Sequence, residues 1–127
     1  MGKATLVEVD LKITERIVSA LESRDIPVTA AVWVNFPRYE DWRLVIAAKK
    51  LDKLDPSDAY LTVNRITKDA GITVWESPTL HLMKTTDPFI RAIRKGYGKA
   101  PKVVGMRLSG QTFGDRFIED AYAYKIA

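Results

Sequence analysis

The chain has 127 residues, 46% hydrophobic and 28% charged, with a formal net charge of +4 at pH 7. That balance excludes a disordered or fibrous protein and predicts one globular domain over 1–127, burying roughly two-thirds of its unfolded surface around one core. The lack of cysteine excludes disulfides, thiolate nucleophiles and Cys-based zinc sites, and it suits a reducing, cytoplasmic setting.

The first element is a helix over about 10–24, with Asp10 as N-cap, Ile13, Ile17, Ala20 and Leu21 on one stripe, and Lys12, Glu15, Arg16 and Glu22 on the wet side. Ile26-Pro27 ends it. "VTAAVWVNF" then alternates as a strand, "PRYED" turns, and "WRLVIAAKK" returns, which predicts a hairpin with a five-residue loop. In "DPSDAYLTVNRITKDAG" Asp55 caps, Pro56 opens, Ala59, Val63, Ile66 and Ala70 form the apolar stripe, and Gly71 closes. "TLHLMK" reads as a strand. "DPFIRAIRKG" repeats the helix grammar with Asp87, Pro88 and Gly96, and "KVVGMRLS" and "TFGDRFIEDAYAYKI" read as a second hairpin turning at Gly110-Gln111.

The order is therefore αββαβαββ. Two hairpins and three amphipathic helices predict an α+β, two-layer sandwich on a mainly antiparallel five-stranded sheet. Val28, Val32, Val34, Leu44, Ile46, Val104, Met106 and Leu108 fit a helix-covered face, joined by Ile118, Tyr122, Tyr124 and Ile126 with Asp120 among them. Ala31, Trp33, Asn35, Arg43, Val45, Ala47, Val103, Gly105, Arg107, Phe117, Glu119, Ala121 and Ala123 fall on the other. That second face is rich in small apolar residues for a surface left in water, so a second subunit, a ligand or the N-terminal segment is expected to cover it.

Candidate chemistry is sparse. Strand alternation separates Glu119 from Asp120, so the adjacent acids do not form one catalytic couple. An inward Asp120 needs donors, for which Arg16, Arg43 or a helix N-terminus are the candidates. His81 is the sole histidine and has no second His or Cys with which to share a metal, so no metal site or cofactor is expected. No serine stands in a G-x-S-x-G context, and "GYGK" is neither a Walker loop nor a dinucleotide fingerprint; no catalytic residue is assigned, and the enzyme question stays open. Charge is concentrated in residues 84–107, where Lys84, Arg91, Arg94, Lys95, Lys99, Lys102 and Arg107 face only Asp87. Clustered cations around Tyr97 are what phosphate neutralisation with base stacking requires. No window approaches the ~20 apolar residues of a membrane span, and Leu6 stands where a myristoylation signal carries Ser or Thr.

The stretches "VTAAVWVNFPRYEDWRLVIA", "DPFIRAIR" and "FIEDAYAYKI" resemble, in the same order, those of a group of small uncharacterised bacterial proteins. The resemblance spans most of the chain and implies a bacterial source and a shared fold; that group has no assigned activity to carry over. Three functional expectations follow from the residues. The first is a non-enzymatic cytoplasmic module that dimerises through the small-residue sheet face or a sheet edge. The second is a nucleic-acid or phosphate-ligand binder using Arg91, Arg94, Lys95, Tyr97, Lys99 and Lys102. The third is an enzyme holding a small ligand over Trp33, Asn35, Arg43, Arg107 and Glu119.

Overall fold

Three long helices and a five-stranded sheet are the main elements of the fold. The structure, a computed structural model, describes residues 8–36, 42–98, 104, 106–108, 110–118 and 120–127. The elements are α1 (Glu8–Ser23), β1 (Ala30–Asn35), β2 (Trp42–Ala47), α2 (Lys49–Asp52), α3 (Pro56–Asp69), β3 (Leu80–Leu82), α4 (Pro88–Tyr97), β4 (Met106–Arg107), β5 (Gln111–Phe113), β6 (Arg116–Ile118) and β7 (Asp120–Ile126). The α+β class with a mainly antiparallel five-stranded sheet and three long helices is the one expected.

The Asp-Pro starts act as read. Asp55 accepts a hydrogen bond from the Asp58 amide and Asp87 one from the Phe89 amide, each at 2.9 Å, and a proline follows each cap in the first turn. Other boundaries shift. Helix α1 begins at Glu8, so Asp10 lies inside its first turn. It ends in a Schellman motif: Asp25 takes φ 63°, its amide bonds Glu22 O, and the Ile26 amide reaches Leu21 O. Strand β2 stops at Ala47, and Lys49 and Lys50 open the one-turn helix α2. Helix α4 runs through Gly96 to Tyr97.

The main sheet has the order β3-β2-β1-β7-β4, with β3 parallel to β2 and every other neighbour antiparallel. The expected C-terminal hairpin is divided. Strand β4 does pair with β7, but a smaller hairpin, β5–β6, is inserted between them and turns at Gly114-Asp115 instead of at Gly110-Gln111. With Phe113 opposite Arg116 the loop has two residues, and Gly114 at φ 63° supplies the positive φ of a type II′ turn.

Register decides the faces. Val32 pairs with Val45 and Val34 with Arg43, whereas Trp33 pairs with Leu44 and Asn35 with Trp42. Even residues of β1 thus stand beside odd residues of β2, so the expected grouping of Val32 and Val34 with Leu44 and Ile46 is corrected. Both faces carry chain of their own, and the buried residues form two clusters. On one face Ala31, Trp33, Leu44 and Ile46 pack with Ile17, Val18 and Leu21 of α1 and Val63 and Ile66 of α3. On the other Ala30, Val32, Val34, Val45, Ala47, Ala121 and Ala123 pack with Phe89, Ile90 and Ile93 of α4 and with Phe113 and Ile118 of the inserted hairpin. The helices are divided between the faces rather than gathered on one. The small residues expected to share one open face are divided as well: Val45, Ala47, Ala121 and Ala123 meet α4, whereas Ala31 lies under α1 and α3, and each large side chain α4 buries contributes about 1.5–3 kcal/mol.

Candidate functional site

Three places were marked by the sequence, and the structure locates each. Trp33 is a core residue, 3% exposed beneath α1, and its indole N–H donates to Thr14 Oγ1 at 2.7 Å. Asn35 and Arg107 share that face of the sheet through their registers with Asp120 and Tyr122, but Arg43 belongs to the opposite face, beside Val34. Glu119 lies outside the described residues. Trp33 and Arg43 are therefore separated by the thickness of the sheet, and the five do not line one cleft.

Asp120 finds its donor on the neighbouring strand and not in Arg16, Arg43 or a helix. Arg107 grips it with Nε at 2.9 Å and Nη2 at 2.6 Å, and the guanidinium also lies 5.6 Å from the Tyr122 ring centroid. The hydrogen-bonded carboxylate, then its charge, raise the Arg107 pKa above its ordinary value.

In the basic segment Arg91, Arg94 and Lys95 line an open depression of about 410 Å³ together with Gly98 and Ala127, and Arg94 Nε donates to Ala127 O at 2.9 Å. Tyr97 is turned elsewhere: its hydroxyl donates to Gln111 Oε1 and its ring packs against Phe113. Lys99 and Lys102 lie outside the described residues. Among the described residues no three His, Cys, Asp or Glu side chains are grouped to hold a metal, and no helix is long and apolar enough to cross a membrane.

A fourth place escaped the sequence reading. Helix α3 closes with a second Schellman motif, in which Gly71 takes φ 81°, its amide bonds Lys68 O, and the Ile72 amide bonds Thr67 O; Ile72 then tucks into the core, 6% exposed. The next four residues, Thr73-Val74-Trp75-Glu76, have the T-x-x-E spacing of a capping box and fold as one. The Thr73 amide and hydroxyl both donate to Glu76 Oε1 at 3.1 Å, and the Glu76 amide in return bonds Thr73 Oγ1 at 3.3 Å. Pro78 denies the turn a continuation into helix. Arg16 of α1 reaches Glu76 Oε2 at 3.2 Å, tying the turn to the body of the protein. The Thr73 hydrogen bonds, with a smaller part from Arg16, hold the Glu76 carboxyl below its ordinary pKa.

What this frame displays is apolar. Val74 is 83% and Trp75 93% exposed, at the two positions of the box that make no cap. Beside them lies a hollow of about 660 Å³ lined by Asn64, Thr67 and Lys68 of α3 with Ile72, Ser77 and Pro78. Leu61, one turn back along α3 from Asn64, is a further exposed apolar residue. The signal for this site was present as T-x-x-E followed by Ser-Pro. No protein family, curated protein or solved structure matches the chain.

Proposed function

We propose that this protein is a non-catalytic interaction module that self-associates, and that the Val74–Trp75 turn is its contact surface. The observation that carries the reading is a tryptophan 93% exposed on a turn fixed at both ends. A large aromatic held out in water by purpose-built hydrogen bonds is a feature of binding surfaces, where Trp is enriched among the residues that dominate affinity. The small residues of the sheet are covered on one face by α4 and the inserted hairpin and on the other by α1 and α3, so the contact moves to this turn. A cysteine-free sequence supports a cytoplasmic setting, and the resemblance to bacterial proteins supports a bacterial one.

Burying an indole of about 200 Å² at ~25 cal/mol per Å² offers about 5 kcal/mol before costs. Association itself costs about 4–15 kcal/mol. One ring alone therefore gives weak binding at best, and a stable pair needs the contact at least twice. Sedimentation velocity from low to high micromolar concentration tests the reading: the wild-type protein is expected to associate with rising concentration, and a monomer throughout would defeat it.

A second reading has its own observation. Arg91, Arg94 and Lys95 meet at one open depression, which supports binding of a phosphate-bearing ligand, nucleic acid included. Affinity for single-stranded oligonucleotide is then expected to fall steeply between 50 and about 200 mM salt. A flat salt response would remove it.

A further inference from the structure

The turn and the hollow lie side by side on one molecule, and Thr73 and Val74, which precede Trp75, help to form the hollow's wall. The Trp75 ring itself projects into solvent and is not part of that wall. A protrusion and a recess adjacent on one surface are the two halves of an isologous contact, in which the same patch on each copy meets itself about a two-fold axis. Resting on the self-association reading, we infer that the Trp75 indole of one copy seats in the Asn64–Thr67–Ile72–Pro78 hollow of a second copy, whose own Trp75 seats reciprocally in the first.

Size and chemistry agree. An open hollow of about 660 Å³ has more than the room an indole needs. Its lining offers Pro78 and Val74 to the ring face, with the edge of Ile72 at its floor, and Asn64 and Ser77 supply acceptors for the indole N–H. Reciprocity supplies the second ring that one insertion lacks.

Two variants dissect the pairing. Trp75→Ala removes the ring and keeps the hollow, whereas Asn64→Trp fills the hollow and keeps the ring; both positions are exposed, so both variants are expected to keep the wild-type circular dichroism and melting behaviour. Each alone is expected to self-associate roughly a hundredfold or more weakly than wild type. Mixed together, they can form one ring-in-hollow contact that neither forms by itself, so the mixture is expected to sediment as a heterodimer of intermediate affinity. If wild type associates but Trp75→Ala associates equally well, the inference falls and self-association stands on another surface. If both variants are monomers and their mixture is no tighter, Trp75 meets something other than this hollow and the inference falls. A wild-type monomer would overturn both readings and leave the hollow to a different occupant.

Discussion

Arg107 and Asp120 clasp each other across β4 and β7 with two hydrogen bonds, of 2.9 and 2.6 Å. Among the described residues β4 pairs with β7 only through Met106 and Arg107, so this bidentate pair reinforces an edge that the backbone ladder holds at few points. Arg107→Gln is expected to speed hydrogen exchange at the Leu108 amide, which bonds Ala121 O at 2.8 Å, and to leave the β1–β2 amides unchanged. Uniform acceleration across both pairs of strands would mean that the clasp supports the whole fold instead of its edge.

Gly114 and Gly110 separate two costs. Both have positive φ, 63° and 67°, but a Cβ on Gly114 would lie 2.7 Å from Pro88 backbone atoms, whereas nothing lies within 4 Å at Gly110. Gly110→Ala is expected to lose about 1 kcal/mol from conformation alone, and Gly114→Ala about 2 kcal/mol or more because α4 must also move. Urea unfolding of the two variants measures the difference, and equal losses would show that the Pro88 contact yields freely.

Thr14 holds a buried junction. Its hydroxyl donates to Asp10 O at 2.7 Å and accepts from the Trp33 indole at the same distance. Thr14→Val keeps the shape and leaves the indole N–H without its partner, an expected loss of about 1–3 kcal/mol. Thr14→Ser keeps the hydroxyl and is expected to recover most of it, so equal destabilisation by Ser and Val would place the effect in packing.

His81 couples stability to pH. Burial, then the positive charges of Arg116 and Arg43, outweigh Asp87 and hold its imidazole below its ordinary value of 6.5. The unfolded chain accepts a proton that the folded chain resists. The stability tied to the neutral ring is thus complete above pH 6.5 and is lost as pH falls through the lower folded value. Urea midpoints are expected to decline below about pH 6.5 in wild type and to flatten there in His81→Asn. The carboxylates held low by partners, Glu22, Asp25 and Glu76, act further down, as pH falls below their ordinary 3.8 to 4.5.

Much of the fold was legible because its signals are local. Asp55-Pro56 and Asp87-Pro88 mark helix starts through groups that lie within three residues of each other, and alternation marks β1 and β2 without reference to any partner. The faces were not legible, because Val32-Val34 and Trp33 are both apolar sets and only the cross-strand register decides which meets Leu44. Nor was the inserted β5–β6 hairpin: its turn signal, Gly114-Asp115, stands inside a stretch that reads as one strand, and Gly110-Gln111 four residues earlier offers a competing turn. The site divided in the same way. Arg91, Arg94 and Lys95 were found from charge and do lie together, whereas Trp75 was passed over because an apolar pair in an aperiodic stretch carries no helix or strand signal.

The frame around Val74 and Trp75 closes almost entirely on itself: Gly71 and Ile72 bond back to α3, and Thr73 and Glu76 bond to each other. Neither displayed side chain supplies a hydrogen bond to that frame. The two positions can therefore be exchanged without disturbing the scaffold that presents them, so what the turn displays is independent of what holds it in shape.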